Sequence, residues 1–181
     1  MTRKVSIFRM DHREFRDQRI TTHLALTSRA LGAREFYYTG DKDPNLEDSV
    51  NDVSSRWGGD FDVEYVERAS AFIRNWKGII VHLTMYGEPF ENTLKTLETV
   101  PEEDLLIVAG GPKVPRFVYE HADFNTSIGW QPHSEVTAVG ILLYKMFGEQ
   151  YLYHEYSDAK MKIQPNSFKA RRSERFADHL S

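Results

Sequence analysis

Two stretches, "GIIVHL" at 78–83 and "DLLIVAGG" at 104–111, are apolar almost without a break instead of alternating with polar residues. A strand with one wet face shows an alternation of period two, so a continuous apolar run of this length is covered on both faces. Such strands belong to parallel sheets packed between layers of helices, which requires helices between the strands. The chain supplies that alternation along most of its length, and the expected fold class is α/β with a mostly parallel sheet.

"KVSIFRM" (4–10) reads as the first strand, and the charged run "DHREFRDQR" (11–19) that follows it as too polar for core. "TTHLALTSRALGA" (21–33) reads as a helix with Thr21 or Thr22 as N-cap and Gly32 as its stop. Further strands are expected at 34–40, 61–66 and 124–129, and a helix at 45–59 on which Leu46, Val50, Val53 and Trp57 share a face. Shorter helical pieces fit 70–78, 90–100 and 114–122. "EVTAVGILLYKMFGE" (135–149) is strongly amphipathic, with Val136, Val139, Leu143 and Phe147 on one side. Residues 1–150 read as one domain, and 151–181 as an extension with one or two strands and a basic terminus.

The 181 residues hold no cysteine, which excludes disulfides, thiolate nucleophiles and cysteine-ligated zinc. The histidines have no H-E-x-x-H or similar ligand spacing, so no metal is expected. No run is long and apolar enough for a membrane span, and the start lacks a secretory pattern, so the expected location is the cytoplasm. The net charge of −4 disfavours nucleic acid on average, but it is unevenly spread. Residues 1–40 carry +4, 41–124 carry −9, and 160–175 set six Lys/Arg against Glu174, so a local positive surface for phosphates remains open.

In a parallel sheet, ligands bind beyond the carboxyl ends of the strands. Three loops there are rich in glycine, proline and small polar residues: "HLTMYG" (82–87), "GGPKVP" (110–115) and "IGWQPHSE" (128–135). None is a P-loop or a G-x-G-x-x-G turn. A nucleoside cofactor held by the backbone of several loops is one reading, and Trp130 beside the last loop is aromatic enough to stack a base.

Taken together, "RDQRITTH" (16–23), "VHLTMYG" (81–87), "IVAGGPKVP" (107–115) and "IGWQPHSEV" (128–136) resemble the signature segments of the archaeal tRNA cytidine-56 2′-O-methyltransferases of the SPOUT class. The likeness runs in order from about residue 4 to about residue 165. It implies a parallel-sheet fold with a C-terminal trefoil knot, a homodimer, S-adenosyl-L-methionine as cofactor and tRNA as substrate. Carried over position by position, it implies cofactor contacts at Leu83, at Gly110, Gly111, Pro112, Lys113 and Val114, and at Ile128, Gly129, Trp130, Gln131, Pro132, His133, Ser134 and Glu135. In that reading Gly129 lets backbone pass close to the ligand, and Pro132 sits in the first turn of the last helix. Related ribose methyltransferases carry an arginine where this chain has Leu26; the substitutes expected here are Arg19, then Arg16, with Ser134 orienting the hydroxyl. A SPOUT enzyme for another RNA, or an RNA-binding module without catalysis, are the alternatives.

Overall fold

The protein is described from a computed structural model covering residues 3–111 and 113–165 and the backbone of 171–172. Strands β1 (Val5–His12), β2 (Glu35–Gly40), β3 (Asp62–Tyr65), β4 (Ile79–Pro89), β5 (Leu105–Ala109) and β6 (Phe124–Ser127) form one sheet in the order β3-β2-β1-β5-β4-β6, and every pairing is parallel. Between them run helices α1 (Glu14–Ala30), α2 (Pro44–Trp57), α3 (Ala69–Asn75), α4 (Phe90–Leu97) and α5 (Arg116–His121), and α6 (Glu135–Phe147) follows β6. The continuous apolar runs are explained by two cores, one on each face. Ile79, Val81, Leu105 and Ile107 point into the larger core with Leu24 of α1, Leu46 and Val50 of α2, and Val139 and Leu143 of α6. Their neighbours Ile80, Leu106 and Val108 point into the smaller one with Ile73 of α3 and Val118 of α5.

The first helix departs from the sequence expectation. α1 begins at Glu14, seven residues before the anticipated threonine cap, with Arg13 in the N-cap position and no side-chain cap bond. Thr21 lies buried in mid-helix, its Oγ1 2.8 Å from His12 Nδ1. The charged run is helical because its inward positions, Asp17, Thr21 and Ser28 beside Leu24, are mostly polar, which hides the helical period from a search for apolar residues. His12 also faces Asp43, 3.4 Å away and equally buried, and Asp43 caps α2 by accepting from Leu46 N. The pair therefore ties the end of β1 to the start of α2. Burial holds the His12 imidazole below its ordinary pKa, with Arg9 acting in the same direction and Asp43 against it.

After α6 a 3-10 turn (Glu149–Tyr153) returns over the body, where the Tyr151 ring closes on Gly32 and Tyr156 on Gly59. Gly32 and Gly59 have φ of +96° and +84°, and an added Cβ would lie inside van der Waals contact of those rings. Ile163–Gln164 (β7) and Arg171–Arg172 (β8) pair antiparallel. Lys169 and Arg175 of the basic terminus lie outside the described residues.

Candidate active site

At the carboxyl ends of β4, β5 and β6 the chain encloses a cavity of about 490 Å³, well within the size that suits a cofactor. Its walls are the three loops singled out in the sequence. Leu83, Gly110, Gly111, Val114, Ile128, Gly129, Gln131, Pro132, His133, Ser134 and Glu135 all line it. Lys113 and Trp130 do not: both are exposed, and Trp130 turns outward with 71% of its surface in solvent. Pro112 lies outside the described residues. A second cavity, at the amino end of the sheet beside Lys4 and Glu35, mixes Arg34 with Asp60 and Asp62 and gathers none of the expected site residues.

Most of the glycines in this chain are crowded, yet Gly111 and Gly129 have nothing among the described residues, their chain neighbours aside, within 4 Å of the place a Cβ would occupy. They line the cavity without filling it, which leaves backbone free to meet a ligand at contact distance. Gly110 is different, because its missing Cβ makes room for the Val114 side chain that closes the loop. The β4–β6 register slips between Leu83 and Glu88, so Thr84, Met85 and Tyr86, in the loop singled out at 82–87 but not among its expected contact residues, bulge out and form a rim.

Helix α6 opens where the 135–149 reading set it, but the expected place of Pro132 is corrected. Its first residue is Glu135, so Pro132 stands before the helix and not in its first turn. Ser134 is the N-cap: its Oγ accepts from Thr137 N at 3.3 Å and lies 3.2 Å from Thr137 Oγ1. Its carbonyl receives Ala138 N at 3.1 Å. The N–H groups of Glu135 and Val136 have no acceptor within the helix, and Glu135 lines the cavity, so this helix start suits an acceptor atom.

Two buried side chains to which the sequence reading gave no role of their own belong to this site. His82 is fully buried and lines the cavity, with its Nδ1 2.8 Å from Asn125 Oδ1. Asn125 donates Nδ2 to the Tyr119 carbonyl at 3.1 Å, so its oxygen faces the imidazole and Nδ1 carries the proton. Burial keeps the ring neutral by pushing its pKa down, and Nε2 is left as a bare acceptor with no partner among the described residues. Arg9, inside β1, is just 2% exposed. Its Nη2 reaches Glu135 Oε1 at 3.4 Å, while burial outweighs Glu135 and Asp17 and lowers its pKa. A lone arginine and a lone histidine inside apolar strands were the available signal, since neither is placed there without a partner to satisfy.

Arg16 and Arg19, expected near the reacting ribose, sit on the outward face of α1 with His23 and do not line the cavity of their own chain. Among the described residues no group of three or more His, Asp or Glu side chains could hold a metal ion, and no helix is long and apolar enough to cross a membrane. The open glycines, the unpartnered His82 Nε2 and the free N–H groups of α6 fit a small polar cofactor such as S-adenosyl-L-methionine, held mainly by backbone.

Residues 57–172 match the model of the family described as tRNA ribose 2′-O-methyltransferase, aTrm56. The chain is 44% identical to a tRNA (cytidine(56)-2′-O)-methyltransferase of Thermococcus kodakarensis over 91% of its own length and 94% of the relative's. It is 45% identical to one of Methanococcus aeolicus over 90% and 94%. Among solved structures it resembles the SpoU methyltransferase AviRb from Streptomyces viridochromogenes, in complex with AdoMet, with a TM-score of 0.55 at 13% identity. That likeness covers 81% of this chain and 59% of AviRb, less than two thirds of its length, and shows the shared fold. On these matches the chain belongs to the aTrm56 family of tRNA ribose 2′-O-methyltransferases and has the SPOUT methyltransferase fold.

Proposed function

We propose that this chain methylates the 2′-hydroxyl of the ribose of cytidine 56 in tRNA, using S-adenosyl-L-methionine, as a homodimer whose strands thread the trefoil knot of its class. The observation that carries the reading is the cavity onto which Gly111 and Gly129 open, in a chain of this family. The cofactor supplies a methyl group on a sulfonium and departs as a neutral thioether, so the protein needs no metal and no acid for the leaving group. What remains for its residues is to hold the hydroxyl in line and to favour loss of its proton.

Backbone of the three loops holds the cofactor, and the N–H groups at the start of α6 and the His82 Nε2 take its polar atoms. Arg19, with Arg16, stabilises the developing alkoxide. Because neither lines its own chain's cavity, both serve the cavity of the second copy. A guanidinium keeps its proton in ordinary surroundings, so their contribution is electrostatic. Ser134 is committed to capping α6 through its acceptor lone pair, and its O–H is directed to the ribose or to Thr137 Oγ1.

The test is methyl transfer from labelled cofactor to an unmodified tRNA transcript, beside a second transcript carrying 2′-O-methylcytidine at position 56. Label in the first alone is the expected result. Equal label in both would keep the methyltransferase and move the site. No label in either, with cofactor binding demonstrated, would overturn the reading.

A further inference from the structure

Phe15 is 100% exposed in the first full turn of α1, an unusual place for a phenyl ring to stand in water. Helical spacing sets Phe15, Arg19 and His23 in a line, with Arg16 beside them, and all four are exposed. The opposite side of the helix is the buried one, through Asp17, Thr21, Leu24 and Ser28. No acidic residue shares the outward stripe; Asp17 is turned inward and bonds Arg13 at 3.0 Å. Arg16 and Arg19 have no ion-pair partner among the described residues, so their charge faces outward in full.

We propose that this stripe is where tRNA lands, with the Phe15 ring stacking on a base that has left its helical stack and Arg16 and Arg19 taking the flanking phosphates. This rests on the tRNA reading above. An aromatic ring between guanidinium groups suits single-stranded nucleic acid, because every base offers a flat face and every linkage a negative charge. In the proposed dimer Arg16 and Arg19 reach the second copy's cavity, so the stripe lies beside the ribose held there, while a contact of the stripe with its own twofold mate would set its arginines against each other. The stripe is also tied to the cavity. Asp17 on the inner side of α1 acts on the Arg9 guanidinium, which reaches Glu135 on the cavity wall at 3.4 Å. A ribose inside folded RNA reaches a concave site when its nucleotide is drawn out, and the base then exposed needs a new stacking partner.

The experiment compares the full-length protein with its Phe15→Leu and Phe15→Tyr variants in equilibrium binding to a tRNA transcript across a salt series. A blunt RNA duplex serves as second ligand, and cofactor-induced thermal shift and sedimentation are run on each protein. Phe15→Leu is expected to weaken tRNA binding about 5- to 100-fold with an unchanged salt slope, since the ring displaces no counterion. It should leave duplex binding, cofactor shift and oligomeric state alone, and Phe15→Tyr should bind tRNA within about twofold of the parent. Unchanged tRNA affinity in Phe15→Leu overturns the proposal, as does an equal loss in Phe15→Tyr. A loss that tracks dissociation of an oligomer reassigns the stripe to a second copy and overturns it too. If the parent protein neither binds nor methylates tRNA, the functional reading itself fails, which is a separate and recognisable result.

Discussion

Around the cavity the chain offers a ligand backbone: glycines without neighbours, helix N–H groups, and side chains that are buried and neutral, as His82 is. On the outward face of α1, about as polar by composition, it offers long charged side chains and an exposed ring, with the backbone hidden in the helix. On the proposals above, the difference follows what each surface has to recognise. A small cofactor is enclosed, so shape and fixed backbone dipoles discriminate it without entropy loss from long side chains. A polyanion much larger than the protein's own concavities is met on a convex surface, where mobile cations reach out to phosphates. Arg9 stands between the two regions, buried like the first and charged like the second.

Arg9→Ala should have the largest effect, because it removes a packed stem and leaves Glu135 without its cation. A loss of about 2–4 kcal/mol in the urea-unfolding free energy is expected, with cofactor and tRNA binding declining together. If only one affinity fell, Arg9 would belong to one region and not bridge them. Gly111→Val adds a side chain where no described residue beyond its chain neighbours lies within 4 Å, at a backbone angle that is not left-handed, so the fold should be spared. Cofactor affinity by calorimetry should fall by about 1–3 kcal/mol, roughly 5- to 150-fold, with tRNA affinity preserved. Unchanged cofactor affinity would mean that the ligand lies elsewhere.

The mirror experiment replaces Arg16 and Arg19 by glutamine. The log–log salt slope of tRNA binding should drop by about 1.4 to 1.8, and the cofactor constant should stay put. A change in cofactor affinity instead would erase the contrast between the regions. The smallest effect concerns pH. His12 and His82 are both held below their ordinary value of 6.5 by burial, so the unfolded chain binds protons that the folded one resists. Their contribution is complete above pH 6.5 and is lost as pH falls through the folded values. Urea midpoints should decline between pH 8 and pH 5, and His82→Gln should flatten part of that decline; an unaltered pH dependence in the variant would show that His82 carries none of it.

Much of this was legible before any coordinates. The runs at 78–83 and 104–111 announced a two-sided core, and the structure divides their residues between two packed layers as that demands. The glycine-bearing loops stood out because backbone approach to a ligand leaves a mark in composition, and the structure brings eleven of the fourteen expected cofactor positions to the cavity wall. The start of α1 was misplaced because its inward residues are Asp17 and Thr21, whose burial makes sense once Arg13 and His12 are beside them. Arg9 was read as an ordinary strand residue, and His82 was given no role beyond its loop, for the same reason. Trp130 and Lys113 could not be separated from their neighbours, since adjacent loop residues differ in direction and not in chemistry.

The sequence by itself determined the class of fold, the family likeness and the loops that wall the cavity, because apolar period and glycine placement are local properties written in order along the chain. The tertiary structure decided which polar groups are buried, which of two adjacent loop residues turns inward, and that Arg16 and Arg19 face away from their own cavity. Those outcomes depend on pairs such as His12 with Asp43 and Arg9 with Glu135, the latter 126 positions apart. No local pattern can announce a partner that distant, since the energy of burying a polar group is settled by whatever the fold sets against it.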